Sequence, residues 1–273
     1  RAKFTNDQTI FNEGSIDLDF RVEGNGNTHA LFVEGSSDRV GIGTSSMAEP
    51  LRVQADSGTD FSASGAAFNN AIMLKNATSG AANTVSLAMA TETNGEVYLS
   101  TVQNSGNNAA DFVISTRASG ARAERLRVAA AGHVTKPNQP RFSASGSSVT
   151  ASGNVLKYQQ VAFDVGSNYS TSTGRFTAPV AGTYIFYCTA IGAAEDDVYR
   201  YYTRKNGTTY PDTETQMRLD VGSGGDYGYG TSAIIMVMDA SDYAEIYFGS
   251  DGGNATHGSS SSGHEMFSGY LLF

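Results

Sequence analysis

The sequence predicts an all-β chain in two parts, a meander of short strands followed by a sandwich or jelly roll of longer ones. Helical periodicity is almost absent, because apolar residues seldom recur at three- and four-residue spacing over a dozen positions. Short apolar runs instead alternate with turn-forming clusters of Gly, Asn, Asp and Ser. The chain has 273 residues, about two average domains, and it contains 31 Gly but only 5 Pro.

The first part of the chain is predicted to be a meander. The expected strands are 19–22, 29–33, 39–42, 71–75, 85–90, 96–102, 111–115 and 124–128. Strands of about five residues with few large aromatic side chains make a thin core and leave sheet edges open. We therefore expect three copies to pair around an axis, so that the narrow sheets bury their faces against one another.

Composition divides the chain near residue 141. Tyr98 is the only tyrosine before residue 142, and the other 13 of the 14 lie between Tyr158 and Tyr270. Residues 1–141 hold 12 basic and 14 acidic side chains (net −2), whereas residues 142–273 hold 6 and 13 (net −7). Two prolines in 136–140 remove backbone donors and favour an extended connector. The predicted organisation is a stalk (1–135), a linker (136–141) and a head (142–273).

The head is predicted to have longer strands that are richer in aromatic residues. The expected strands are 161–165, 174–178, 183–190, 198–205, 214–221, 231–238, 243–248 and 265–273. About eight to ten strands in some 130 residues is the size of one β-sandwich or jelly roll.

Residues 38–44 (Asp-Arg-Val-Gly-Ile-Gly-Thr), followed by Pro-Leu-Arg-Val at 50–53, resemble a module common in tail fibres and related structural proteins of tailed bacteriophages. Residues 123–128 with 132–134 are similar. The resemblance covers roughly residues 17–135 and implies a fibrous, trimeric stalk. Usual versions end in a second Gly-Ile-Gly-Thr, whereas this chain runs into the proline linker, as expected where a different domain follows.

Residues 173–186 (Thr-Gly-Arg-Phe-Thr-Ala-Pro-Val-Ala-Gly-Thr-Tyr-Ile-Phe) resemble the globular head of complement component 1q and its relatives in the tumour necrosis factor superfamily. Residues 267–272 resemble that family's last strand. The resemblance implies a ten-stranded jelly roll that assembles as a tight homotrimer. One departure is the sequence at 239–243, where the family commonly has Gly-Asp. The signature residues are Gly174, Arg175, Phe176, Pro179, Gly182, Tyr184, Phe186, Phe267 and Gly269.

Composition argues against several partners. A net charge of −9 repels nucleic acid and anionic lipid headgroups, and no run approaches the roughly 20 apolar residues that a membrane-spanning helix needs. We therefore expect neither nucleic-acid binding nor membrane insertion. Cys188, the single cysteine, is predicted to be a small buried hydrophobe. Because the sequence starts without Met, it is interpreted as a fragment of a longer protein.

Loop aromatics are the strongest binding signal. Asp226, Tyr227 and Tyr229 lie in a glycine-rich segment at 222–230, and tyrosine with Gly and Ser is typical of adaptable recognition surfaces. Tyr210 is a further candidate, as are Tyr199, Tyr201 and Tyr202. The alternative is that several of these tyrosines pack inside the sandwich or in a seam between copies. Since Tyr201 and Tyr202 are adjacent, at least one should point inward.

Acidic clusters are the main metal candidates. Glu195, Asp196 and Asp197 follow a small-residue segment, and Asp239 with Asp242 forms a second cluster; carboxylate oxygens of this kind suit calcium. Some relatives of the complement head bind calcium, so a calcium site is possible at 195–197. The alternative is a solvated acidic turn. No other cofactor is expected.

The two resemblances together predict a non-enzymatic protein of the virion, placed in a tail fibre or another exposed appendage. A trimeric fibre would adsorb through its tip to a bacterial surface glycan or protein, by multivalent binding, and would also contact other virion proteins. Three alternatives remain: a head that only holds the trimer together, a surface-polysaccharide depolymerase, and a secreted lectin-like defence protein of an animal.

Overall fold

A computed structural model describes residues 2–4, 9–11, 16–55, 72–77, 80–92, 95–104, 109–147, 150–151, 153–192, 197–211, 217–221, 228–250, 256–257 and 265–273. The chain forms two compact units, one of residues 1–87 and 100–110 and the other of residues 88–99 and 111–273. Every regular element in the described ranges is a strand, which confirms the all-β prediction. Those ranges accordingly hold no helix that could cross a membrane.

Short strands make up the N-terminal part. A two-stranded antiparallel sheet pairs β1 with β2, and a four-stranded sheet has the order β3-β4-β5-β6, in which β5 and β6 run parallel. The strands are β1 (Ala2–Phe4), β2 (Thr9–Phe11), β3 (Phe20–Gly24), β4 (Asn27–Glu34), β5 (Arg39–Ile42) and β6 (Leu51–Val53).

A five-stranded sheet comes next, in the order β11-β10-β9-β8-β7. Asp111 and Glu124 both accept hydrogen bonds from Arg127, and Asp111 also accepts one from the backbone N–H of Ala130. This network ties β10 to β9 in the second unit. The strands are β7 (Thr84–Ala90), β8 (Glu96–Gln103), β9 (Ala110–Ala118), β10 (Ala121–Val128) and β11 (Val134–Thr135).

Two sheets from residue 141 onward form a sandwich. The first sheet has the order β15-β12-β25-β18-β22; the second has the order β16-β17-β23-β19-β20, with β14 also on β23 and β21 also on β19. A separate pair joins β13 to β24. The strands are β12 (Arg141–Ser147), β13 (Thr150–Ala151), β14 (Asn154–Val155), β15 (Tyr158–Val165), β16 (Tyr169–Ser170), β17 (Arg175–Thr177), β18 (Gly182–Gly192), β19 (Asp197–Lys205), β20 (Thr208–Thr209), β21 (Met217–Val221), β22 (Gly228–Met238), β23 (Tyr243–Ser250), β24 (Thr256–His257) and β25 (Met266–Leu271).

The inward faces of the two sheets meet in one aromatic core. The ring of Phe142 stacks on Tyr169 and on Phe176, each at 4.9 Å between centroids, and meets Phe267 edge-on at the same distance. Phe186 packs on the same group. These rings come from both sheets, so the cluster holds the sandwich together.

Two signature glycines are explained by this packing. Gly174 has φ +74°, and a Cβ there would collide with the carbonyl oxygen of Leu156. Gly269 faces the ring of Phe186, which leaves no room for a Cβ. Gly174 is required both by its backbone conformation and by the lack of room for a Cβ, and Gly269 is required by the lack of room alone.

Several short strands were not predicted, and two further differences from the predicted strands are informative. Residues 72–77 form no strand, so the prediction of a strand at 71–75 is wrong for its described part; Ile72 and Met73 are exposed and pair with no sheet. Conversely, β12 was not predicted, although it lies between β15 and β25 in the first sheet. Its small polar residues give no β signal, and its pairing on both edges specifies it instead.

Burial is very uneven along the chain. Before Arg141, the described residues bury three apolar side chains, Phe32, Met47 and Val113, and expose many large ones. The exposed set there is Phe11, Ile16, Leu18, Val22, Ile42, Leu51, Ile72, Met73, Leu74, Leu87, Met89, Phe112 and Val134. The sandwich, by contrast, has a continuous core.

Candidate functional site

One face of the first sheet presents apolar side chains to the outside of the sandwich. Inward positions of β22, such as Met236 and Met238, are fully buried, and the alternating positions between and before them point outward. Ile235 and Val237 are 59% and 60% exposed, and Tyr270 of β25 is 41% exposed. We call the outward set the apolar face: Ile185, Tyr187, Ala233, Ile235, Val237 and Tyr270.

Strand register brings the apolar face together. Ile185 of β18 lies directly opposite Ile235 on one side and Tyr270 on the other, so three apolar side chains form one row across three strands. Tyr187 lies opposite Ala233 in the next row. A contiguous apolar surface of this kind marks an interaction site more often than scattered exposed residues do.

The predicted receptor-binding residues do not form one surface where they are described. Asp226 and Tyr227 lie outside the described residues. Tyr229 is near the start of β22, opposite Ile191, and is 60% exposed. Tyr210 packs against the core, and its hydroxyl accepts a hydrogen bond from the N–H of Val237. Val237 is near the end of β22, about 27 Å along that strand from Tyr229.

The other candidate tyrosines divide as strand alternation requires. Tyr199 and Tyr201 lie in the core, and the Tyr201 hydroxyl donates to the carbonyl of Ile191 at 3.0 Å. Tyr202 points to the opposite face of β19, where its ring packs against Tyr247.

Cys188 is buried, as predicted, beside a buried polar group. The thiol lies 3.6 Å from the hydroxyl of Tyr158, and Glu265 is fully buried close to both. Burial raises the pKa of the Cys188 thiol to about 12. The thiol is therefore neutral at physiological pH and a poor nucleophile.

The acidic cluster predicted to bind calcium lies largely outside the described residues. Glu195 and Asp196 are not described, and of Asp197 the structure gives the backbone, which pairs with Val221 at the start of β19. Within the described ranges, no three His, Cys, Asp or Glu side chains are grouped to hold a metal ion. A calcium site at 195–197 stays a prediction.

The second acidic cluster, Asp239 and Asp242, lies in a turn where donors already surround the Asp242 carboxylate. Asp242 receives a salt bridge from Lys205 Nζ at 2.8 Å, a hydrogen bond from the Asn206 amide at 2.6 Å, and another from the backbone N–H of Asp239 at 2.8 Å. A calcium ion would have to displace these donors. The Lys205 contact, followed by those of Asn206 and Asp239, lowers the pKa of Asp242 to about 2.

This pKa shift gives a pH-dependent prediction for Asp242→Asn. Because the folded-state pKa is depressed, the carboxylate stabilises the fold above its ordinary pKa near 4, and that contribution disappears as pH falls through about 2. We expect D242N to lower the melting temperature at pH 7 and to converge with the parent as the pH falls to about 2. The matched control, D220N, alters an exposed pair with Arg218 and should change little. A deficit that is constant from pH 7 to pH 2 would contradict the electrostatic explanation.

The remaining signature residues have structural roles. Arg175 forms a 2.8 Å salt bridge with the buried Glu245, and the Tyr184 hydroxyl donates to the carbonyl of Val180 in the turn that contains Pro179. Gly182 starts β18. Sequence reasoning missed Glu245, because its partner is 70 residues away; the only available signal was a charged residue within an apolar strand.

Comparison with known proteins agrees with this architecture. The family model of the C1q domain matches residues 141–272. Among solved structures, similarity is found to the globular domain of zebrafish complement 1qA (16% identity, 50% of this chain and 98% of that chain, TM-score 0.38). Eiger TNF from S. frugiperda (12%, 50% and 94%, TM-score 0.39) and murine APRIL (14%, 50% and 99%, TM-score 0.37) are also similar.

The two-sheet sandwich and the family match define the class of the C-terminal part. Residues 141–272 match the C1q-domain family and fold as a two-sheet β-sandwich. The head resemblance drawn from residues 173–186 and 267–272 is thereby confirmed, and all the signature residues lie within the matched range.

Proposed function

We propose that the protein is a homotrimeric receptor-binding component of a bacteriophage tail fibre or another exposed appendage of the virion. Its jelly-roll tip adsorbs to a bacterial surface glycan or protein, and the preceding residues form the stalk. Binding is multivalent and non-catalytic, so that three weak sites per tip and several fibres per particle raise the avidity.

The apolar face is the main observation that supports self-association of the protein. Residues 233–238 are an unbroken apolar run, a pattern typical of a strand that is buried on both faces. The inward half of this run is buried in the sandwich, whereas Ile235 and Val237 are exposed in the single chain. A second copy would supply the missing cover. The C1q/TNF-like fold supports a trimer as the closed form of this association.

The exposed apolar side chains before Arg141 support the stalk. The described residues there bury too few apolar groups to stabilise a domain of their own. Pairing of copies would bury the exposed set, in agreement with the resemblance to phage fibre modules carried by residues 38–44 and 123–128.

Adsorption is tested by exchanging the head. The full-length chain and a chimera, in which a foreign trimerising domain replaces residues 142–273, are labelled and incubated with a panel of bacterial strains. Flow cytometry should show that the full-length chain binds at least one strain and that the chimera does not. If the chimera binds as well as the parent, the head only holds the trimer together and receptor binding lies elsewhere.

A separate experiment tests whether binding is non-catalytic. Strains that bind the protein supply capsule or lipopolysaccharide, which is incubated with the purified chain and sized by gel filtration. The polymer is expected to keep its length. A shortened product would replace the binding assignment with a depolymerase.

A further inference from the structure

Residues 136–140 lie between β11 and β12 and contact the protein on both sides. Asn138 Nδ2 donates a hydrogen bond to the carbonyl of Glu124 in β10 at 3.0 Å. The next residue, Gln139, donates from Nε2 to the carbonyl of Leu271 in β25 at 2.6 Å. Two adjacent side chains thus reach different partners, one in the sheet before this segment and one in the sandwich after it. We call residues 136–140 the joint.

Further hydrogen bonds fix the shape of the joint. The backbone N–H of Gln139 donates to the carbonyl of Lys136 at 3.2 Å and closes a turn. The Arg141 guanidinium donates to the carbonyls of Lys136 and Gln139 at 3.3 and 3.4 Å. Pro137 and Pro140 each restrict the backbone to a φ near −65°. The joint therefore has fewer alternative conformations than an extended connector of the same length.

At its end, the joint continues the first sheet of the sandwich. The N–H of Leu271 donates to the carbonyl of Pro140 at 2.9 Å, and the carbonyl of Leu271 accepts the bond from Gln139. Leu271 is the last residue of β25 and packs against the core. It directly follows Tyr270 of the apolar face. The joint is thus anchored to a strand that belongs both to the core and to the apolar face.

At its start, the joint is attached to a part of the preceding sheet that ion pairs hold together. Glu124, whose carbonyl accepts the bond from Asn138, pairs through its carboxylate with Arg127. Arg127 also pairs with Asp111 of β9, and β11 pairs with the end of β10 immediately before the joint. Residues 111–135 and the sandwich belong to the same compact unit.

We propose that the joint is a rigid coupling, which makes β9, β10, β11 and the sandwich one cooperative body with a fixed direction of the head. The Asn138 bond holds the joint to the sheet and the Gln139 bond holds it to the sandwich, so the two act in series and the loss of either breaks the connection. A head of fixed direction presents its surface without an orientational entropy cost, which favours simultaneous contacts by several copies.

Hydrogen exchange of the full-length chain, followed by mass spectrometry on peptides from residues 111–135, measures the coupling. Asn138→Ala and Gln139→Ala should each speed the exchange of these peptides roughly fivefold, the effect expected for one lost hydrogen bond. Because the two bonds act in series, N138A/Q139A should exchange little faster than either single variant. Two independent bonds would instead multiply their effects, to roughly 25-fold.

Control variants separate uncoupling from a general loss of stability. Gln159→Ala removes two amide-to-carbonyl bonds inside the sandwich, to Lys157 and Thr171, and should leave the exchange of the 111–135 peptides at the parental rate. Peptides from β18 and β23 should keep the parental rate in every variant. Carboxylates in place of the two amides of the joint, N138D and Q139E, keep the side-chain size, remove the donor and should reproduce the alanine results.

Three results would each overturn the rigid coupling. They are unchanged exchange of the 111–135 peptides in both single variants, a double variant that shows the product of the two effects, and equal acceleration of the β18 and β23 peptides. The coupling is a property of one chain and requires no receptor, so it is independent of the proposed function. A protein that binds no bacterial strain but shows the series behaviour would keep the coupling and lose the adsorption role.

Discussion

Replacing Ile235 and Val237 together with aspartate is expected to dissociate the proposed trimer toward chains of 28.7 kDa. Both side chains point outward from β22 and are more than half exposed in the single chain. Full burial of one such aliphatic side chain contributes about 1.5–3 kcal/mol, and each trimer interface would contain several. Two aspartates would remove that contribution and place unpaired carboxylates in the interface.

Light scattering coupled to gel filtration measures this effect directly. The parent should have about three times the mass of one chain, and the mass of I235D/V237D should fall toward that of one chain as the protein is diluted. Val180→Asp is the matched control, because Val180 is 46% exposed but lies in the turn between β17 and β18, outside the apolar face. A parent that is already monomeric would refute the trimer. A double variant that keeps the parental mass would assign the association to other residues.

The strands of the sandwich could be predicted wherever aromatic and β-branched residues dominate. The predicted strand at 183–190 corresponds to β18 (Gly182–Gly192), and the strand at 243–248 corresponds to β23 (Tyr243–Ser250). β12 escaped prediction because Phe142 is its only large apolar residue. Its conformation is specified by hydrogen bonds to β15 and β25, which are distant in sequence, rather than by local propensity.

The candidate surfaces were less predictable, because they depend on register. The apolar run at 233–238 indicates a strand covered on both sides, but only the structure shows which half lacks its cover. Arg175 and Arg204 are far apart in sequence, and both lie opposite Glu245 because β17, β23 and β19 are neighbours. The loop tyrosine signal selected residues by composition, and composition does not distinguish Tyr201, which is buried, from Tyr229, which is exposed.

Replacing Phe142 with alanine is expected to lower the free energy of unfolding of the jelly roll by about 3–5 kcal/mol. Its ring is 1% exposed and contacts Tyr169, Phe176 and Phe267, so the substitution would leave a cavity lined by rings from both sheets. Relaxation around the cavity is restricted, since Phe142 lies on β12, which is paired on both edges.

Tyrosine fluorescence during urea unfolding measures the loss, because the chain has no Trp and 13 of its 14 tyrosines lie from residue 158 onward. The signal therefore follows the jelly roll rather than the residues before it. Protein concentration is kept constant, so that dissociation of copies contributes equally to both curves. The matched control is Phe273→Ala, whose side chain is 83% exposed and should cost less than 1 kcal/mol. Similar losses for the two variants would mean that the ring cluster around Phe142 is not the core that holds the two sheets together.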